Sequence, residues 1–80
     1  MKIQLLFFGI TTDLVGKNAL SYDVVRNCSV EDLKETLIEE FEGLKNVHQF
    51  AIAVNEAYAD DTVILNENDV VAIIPPVSGG

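Results

Sequence analysis

The chain has 80 residues, 49% of them hydrophobic and 22% charged, which is enough for one compact domain and too little for two. Thirteen acidic residues outweigh five basic ones for a net charge of -8, and Lys2, Lys17, Arg26, Lys34 and Lys45 are scattered singly; a phosphate backbone would repel such a chain, and a basic protein surface suits it better. A domain of this size buries only about 60 to 65% of its unfolded surface, so any chemistry is expected at its edge or in a partner, not in a deep enclosed site.

Residues 2–9 (KIQLLFFG) read as a strand in which Ile3, Leu5 and Phe7 point one way and Gln4, Leu6 and Phe8 the other. Both faces are apolar, so Leu6 and Phe8 are either covered within the fold or form a contact patch. Residues 9–18 (GITTDLVGKN) carry Gly9, Asp13, Gly16 and Asn18 and read as a loop. A second strand over 19–25 alternates Leu20, Tyr22 and Val24 with Ser21 and Asp23, antiparallel to the first through a hairpin-like connection.

The helix signal is the clearest in the chain. Ser29 with Asp32 three residues on forms a capping box, and Glu31 and Asp32 lie where the helix dipole favours negative charge. Val30, Leu33, Leu37, Ile38 and Phe41 make one apolar stripe, the glutamates at 31, 35, 39, 40 and 42 lie on the wet face, and Gly43 is expected to close the helix as a left-handed cap. Phe50–Val54 reads as a short buried strand, Asn55-Glu56 as a turn, Tyr58 as the start of a brief return strand, and Asn66–Asp69 as a turn with Asn68 left-handed. Val70–Ile74 (VVAII) is continuously apolar, as in a strand covered on both sides or touching a partner.

This order predicts an α+β domain of the ubiquitin-like β-grasp kind over residues 1–74. Four to five strands make a mixed sheet, one main helix crosses one face, and the last strand lies beside the first. Pro75-Pro76 cannot continue a ladder of hydrogen bonds, so residues 75–80 are expected to leave the domain as an extended tail. Its terminal Gly79-Gly80 has no side chain to obstruct passage through a narrow channel. A carboxylate becomes a good electrophile only once its oxygen is made a leaving group, for instance as an acyl-adenylate, and a slender diglycine end suits an enzyme that does this. Gly80 is therefore the leading functional residue.

Lone side chains carry less. Cys28 precedes a helix start, where the dipole could lower a thiol pKa, but without a base it reads as a packed small residue. His48 has no second ligand at metal spacing and reads as a surface residue. One cysteine and the lack of a charged-then-apolar leader point to a reducing cytoplasm, and the apolar runs fall far short of the roughly 18 residues of a membrane span.

Leu6-Phe7-Phe8-Gly9, Ser29-Val30-Glu31-Asp32-Leu33, Ala53-Val54-Asn55 and the run Asp69 to Gly80 closing on Pro-Pro-Val-Ser-Gly-Gly resemble the small subunits of molybdopterin synthase, ubiquitin-like sulfur carriers. The resemblance spans the whole chain, with the ending its specific part. It implies that an adenylating enzyme of the ubiquitin-activating type uses ATP to activate Gly80, and that a sulfur donor converts it to a thiocarboxylate. The tail (Pro75, Pro76, Val77, Ser78, Gly79) then threads into the large subunit, where sulfur passes to precursor Z to build the dithiolene. It further implies a contact surface at Phe8, Tyr58 and Ile74, a heterotetramer of two small and two large subunits, no stably bound cofactor or metal, and catalytic side chains in the large subunit. Relatives often carry an arginine after the first strand, where Ile10, Thr11 and Thr12 stand here. Two other readings stay open: a carrier or protein modifier serving thiamine synthesis or tRNA thiolation, and a β-grasp binding module with an idle tail.

Overall fold

The computed structural model describes residues 1–46 and 50–75, excepting the side chains of residues 45 and 46. Strands β1 (Lys2–Phe7), β2 (Ala19–Asp23), β3 (Ala51–Val54), β4 (Ala57–Tyr58) and β5 (Val70–Ile74) form one sheet in the order β2-β1-β5-β3-β4. The first and last strands run parallel at its centre, with Gln4 opposite Val70 and Phe7 opposite Ile73, and the remaining pairings are antiparallel. Helix α2 (Val30–Glu40) and a 3-10 helix over Glu42–Asn46 complete the β-grasp arrangement expected from the element order, together with a short helix α1 (Ile10–Val15).

Alternation along the central strands decides which face is dry. Ile3, Leu5 and Phe7 of β1 and Val71 and Ile73 of β5 are buried with Val30, Leu33 and Leu37 of α2, and Leu44, Phe50, Ile52 and Leu65 close the core. The α2 start follows the sequence signal: Ser29 Oγ accepts from the Asp32 amide at 3.1 Å, and the Asp32 carboxylate accepts from the Ser29 amide at 3.3 Å. Two further amides of that first turn, Val30 and Glu31, donate to the carbonyls of Val63 and Asp61, which ties the helix to the segment ahead of β5. The glutamates at 31, 35, 39, 40 and 42 are exposed, as the wet face requires.

Turn chemistry also follows the residues. Asn55 and Glu56 both take positive φ (50° and 72°), the geometry of a two-residue hairpin turn, and Asn68 is left-handed at φ 68°. The two turns are joined by Asp69, whose carboxylate accepts from the Asn55 side-chain amide (3.0 Å) and from the Asn66 backbone amide (2.7 Å). Asn55 Oδ1 in turn accepts from the Val70 amide at 3.0 Å, which fixes where β5 begins.

Two expectations are corrected. The segment read as a loop over 9–18 contains α1, so β1 and β2 are antiparallel but joined through a helix and not a simple hairpin. Thr12 Oγ1 donates to the Phe7 carbonyl, Gly16 closes the turn in the left-handed conformation, and Leu14 and Val15 pack on the core, so tertiary contacts supply what poor helix formers lack. Gly43 is not a left-handed cap. Helix α2 ends with Phe41 in extended geometry, and Gly43 lies inside the following 3-10 helix, where a Cβ would come within 3.0 Å of the Leu14 Cβ. Its function there is close approach between two helices, which needs the missing side chain and not a positive φ. His48, Pro76, Val77, Ser78, Gly79 and Gly80 lie outside the described residues.

Candidate functional site

The face of the sheet turned away from α2 is apolar and open. Register places Leu6, Ala72, Ala53 and Tyr58 opposite one another on four successive strands, so the four form one row across that face. The two alanines make a low floor between the larger side chains, and the result is a concavity whose rim includes Phe8, Val70 and Ile74. Among the described residues Glu56 is its sole charged lining residue. Phe8 is 48% exposed, Tyr58 77% and Val70 38%, a concentration of wet apolar surface of the kind that marks a docking site.

Parity explains this face. Ile3, Leu5 and Phe7 take the core side of β1, which leaves Leu6 on the other side with Phe8 beyond the strand end; Val71 and Ile73 do the same for β5, which leaves Val70, Ala72 and Ile74. The continuously apolar VVAII run is thus covered by the protein's own core on one face only. Phe8, Tyr58 and Ile74, the contact residues implied by the resemblance, line one concavity, and Ile74 stands immediately before Pro75, the first residue of the expected tail. The sequence reading did not single out Ala53, Val70 and Ala72, although the alternation of β5 carried the signal for the last two. Of the segment where relatives carry an arginine, Thr11 is fully buried and Ile10 is 55% exposed.

The titratable groups elsewhere look structural. Cys28 is buried, and desolvation, aided by the Asp32 charge, pushes its thiol up, opposite to the direction a reactive thiolate needs. Burial and a hydrogen bond donated to the Glu40 carboxylate hold the Tyr22 phenol above its usual range. Among the described residues no group of three His, Cys, Asp or Glu side chains could hold a metal ion, and no helix is long and apolar enough to cross a membrane.

The ThiS family pattern matches residues 5–80 of this chain. The chain belongs to the ThiS family. Among ThiS-family relatives, it is 34% identical to a molybdopterin synthase sulfur carrier subunit of Drosophila erecta, over all of this chain and 92% of the relative. The fold superposes with TM-score 0.86 on a putative molybdopterin converting factor subunit 1 of Pyrococcus furiosus, at 26% identity over 96% of this chain and 99% of that one. It superposes with TM-score 0.70 on a chain of the complex between subunits 1 and 2 of the Helicobacter pylori molybdopterin-converting factor, at 27% identity over the full length of both.

Proposed function

We propose that this ThiS-family chain is the sulfur carrier subunit of a molybdopterin synthase and works through the carboxylate of Gly80. The observation that carries the reading is the joining of an apolar docking face to a Pro-Pro-Val-Ser-Gly-Gly ending through Ile74, in a chain whose full-length relatives bear that name. An adenylating partner joins the Gly80 carboxylate to AMP from ATP and releases pyrophosphate. A sulfur donor enzyme then displaces AMP and leaves a thiocarboxylate. Pro75 to Gly79 thread that group into the large subunit, whose side chains carry out the transfer of sulfur to precursor Z, and the carboxylate is regenerated. ATP is the activating enzyme's substrate, and the carrier itself holds no cofactor and is not an enzyme on its own. The cytoplasm is its place of work, and the charge of -8 keeps it off nucleic acid.

The test is mass spectrometry of the C-terminal peptide from protein purified out of its native cells, after thiocarboxylates are trapped with an alkylating probe. A label on Gly80 is expected. An unlabelled carboxylate, with the activating enzyme and ATP supplied, would favour the idle-tail module.

The face makes its own prediction. Phe8→Ala removes a half-exposed ring, so folding should change little, while affinity for the large subunit should fall roughly thirtyfold, about 2 kcal/mol, as for an aromatic anchor that a partner buries. Calorimetric titration measures both quantities' separation when paired with a thermal melt, and an unchanged affinity removes Phe8 from the interface.

A further inference from the structure

Two residues beyond β1 have no part in the function proposed so far, yet both touch the place where the chain leaves the sheet. Thr11 is fully buried. Its hydroxyl accepts from the Phe8 amide at 3.1 Å, donates to the Phe8 carbonyl at 2.5 Å, and lies 3.4 Å from the carbonyl of Ile73. The Phe8 amide also reaches that Ile73 carbonyl, at 3.2 Å. Gly9 sits at φ 56°, ψ -138°, a region essentially reserved for glycine, and a Cβ there would come within 2.9 Å of the Pro75 ring. Ile73 is thus held through Thr11 and Phe8, while Pro75 rests against the bare backbone of Gly9.

The sequence that follows makes such a hold consequential. Ile74 and Pro75 each precede a proline, which disfavours helical backbone and keeps them extended, and the Pro75 ring fixes its own φ. A bearing set at Ile73 is therefore carried as far as Pro75 and not averaged out by free rotation.

We propose that Gly9 and Thr11 form a collar that sets the bearing at which the chain departs the sheet at Pro75, and so are positioning residues for the chemistry of Gly80. What the tail does is taken from the carrier function above; the collar is a matter of geometry alone. Holding the exit in one direction lowers the entropy lost when a narrow channel takes up the tail, the ordinary advantage of preorganisation. It also accounts for a glycine-only conformation at the point where the β1 exit meets the proline, and gives a second role to a fully buried threonine that bonds the main chain of Phe8 and lies against that of Ile73.

The test uses the full chain with Cys28→Ala and nitroxides on cysteines introduced by Ser78→Cys and Glu35→Cys, the second on the exposed face of α2. Pulsed electron paramagnetic resonance then gives the distribution of tail-to-helix distances. Thr11→Val, which keeps the shape and removes the hydroxyl, should at least double its width, and Thr11→Ser should restore it. Should Thr11→Val fail to fold, Gly9→Ala, whose Cβ would meet the Pro75 ring while both prolines stay in place, should broaden the distribution by displacing the proline from its seat. Equal widths in the parent and variant chains would overturn the collar. In thiocarboxylate formation with the organism's adenylating enzyme and sulfur donor, Thr11→Val should raise KM about tenfold with kcat little changed, and Thr11→Ser should recover it. Broadening in a chain on which no variant, nor the parent, ever forms a thiocarboxylate would uphold the collar and remove the carrier function. Unchanged distances with normal thiocarboxylate formation would do the reverse.

Discussion

A chain lacking Gly79 and Gly80 is expected to fold as the full chain does and to carry no sulfur. Among the described residues the core is completed by Val71 and Ile73, and two glycines carry no apolar side chain whose loss a core would feel. The deletion leaves a carboxylate on Ser78, two residues short of its usual reach and with a side chain on the terminal carbon. A channel shaped for glycine would exclude it, and the loss should be total and not graded. Two measurements are needed together: a thermal melt, expected to match the parent, and molybdenum-enzyme activity in cells whose own copy has been replaced by the shortened gene, expected to be absent. Survival of that activity would exclude sulfur carriage by this tail.

The second large effect is on stability. Leu37 is completely buried on α2, within the cluster that joins the helix to β1 and β5. Leu37→Ala should cost about 2 to 5 kcal/mol, as buried leucine truncations do. For a domain of this size total stability is on the order of 4 to 12 kcal/mol, so the variant should lose a large part of it. At about 4 to 8 °C per kcal/mol the thermal midpoint should fall by at least 8 °C. Glu35→Ala, on the wet face of the same helix, should stay within about 0.5 kcal/mol. Urea melts of the two variants check the contrast. A Leu37→Ala midpoint equal to the parent's would mean that this helix face is not the buried one.

The parts of the fold written in local chemistry could be read from the residues. Ser29 and Asp32 cap α2 because their side chains reach amides only a turn away, and Asn55 and Asn68 take positive φ because asparagine tolerates it. What escaped was set by tertiary contact. Ile10-Thr11-Thr12 is a poor helical start, and α1 exists because Thr11 and Thr12 find main-chain partners in Phe8 and Phe7 and because Leu14 and Val15 meet the core. Gly43 looked like a stop because glycine near a helix end usually is one; here it is the absence of a Cβ that counts, against a Leu14 distant in sequence. The apolar face was half legible. Parity left Leu6 and Phe8 unaccounted for, whereas the floor of Ala53 and Ala72 depends on which strands are neighbours, a matter of register that no local pattern carries.

The placing of β5 between β1 and β3 bears on how this protein is made. The strand completed last in synthesis is the one that closes the centre of the sheet, so a nascent chain that has emerged only as far as Asn68 holds an open slot between its first and third strands. Such a fragment has its helices and the antiparallel pair β1–β2 but no finished core to stabilise them. Folding therefore awaits residues 70–74, which are made only a few residues before the terminal glycines. Chains broken off earlier stay open to proteolysis, and the pool of folded protein is enriched in molecules long enough to bear the diglycine end.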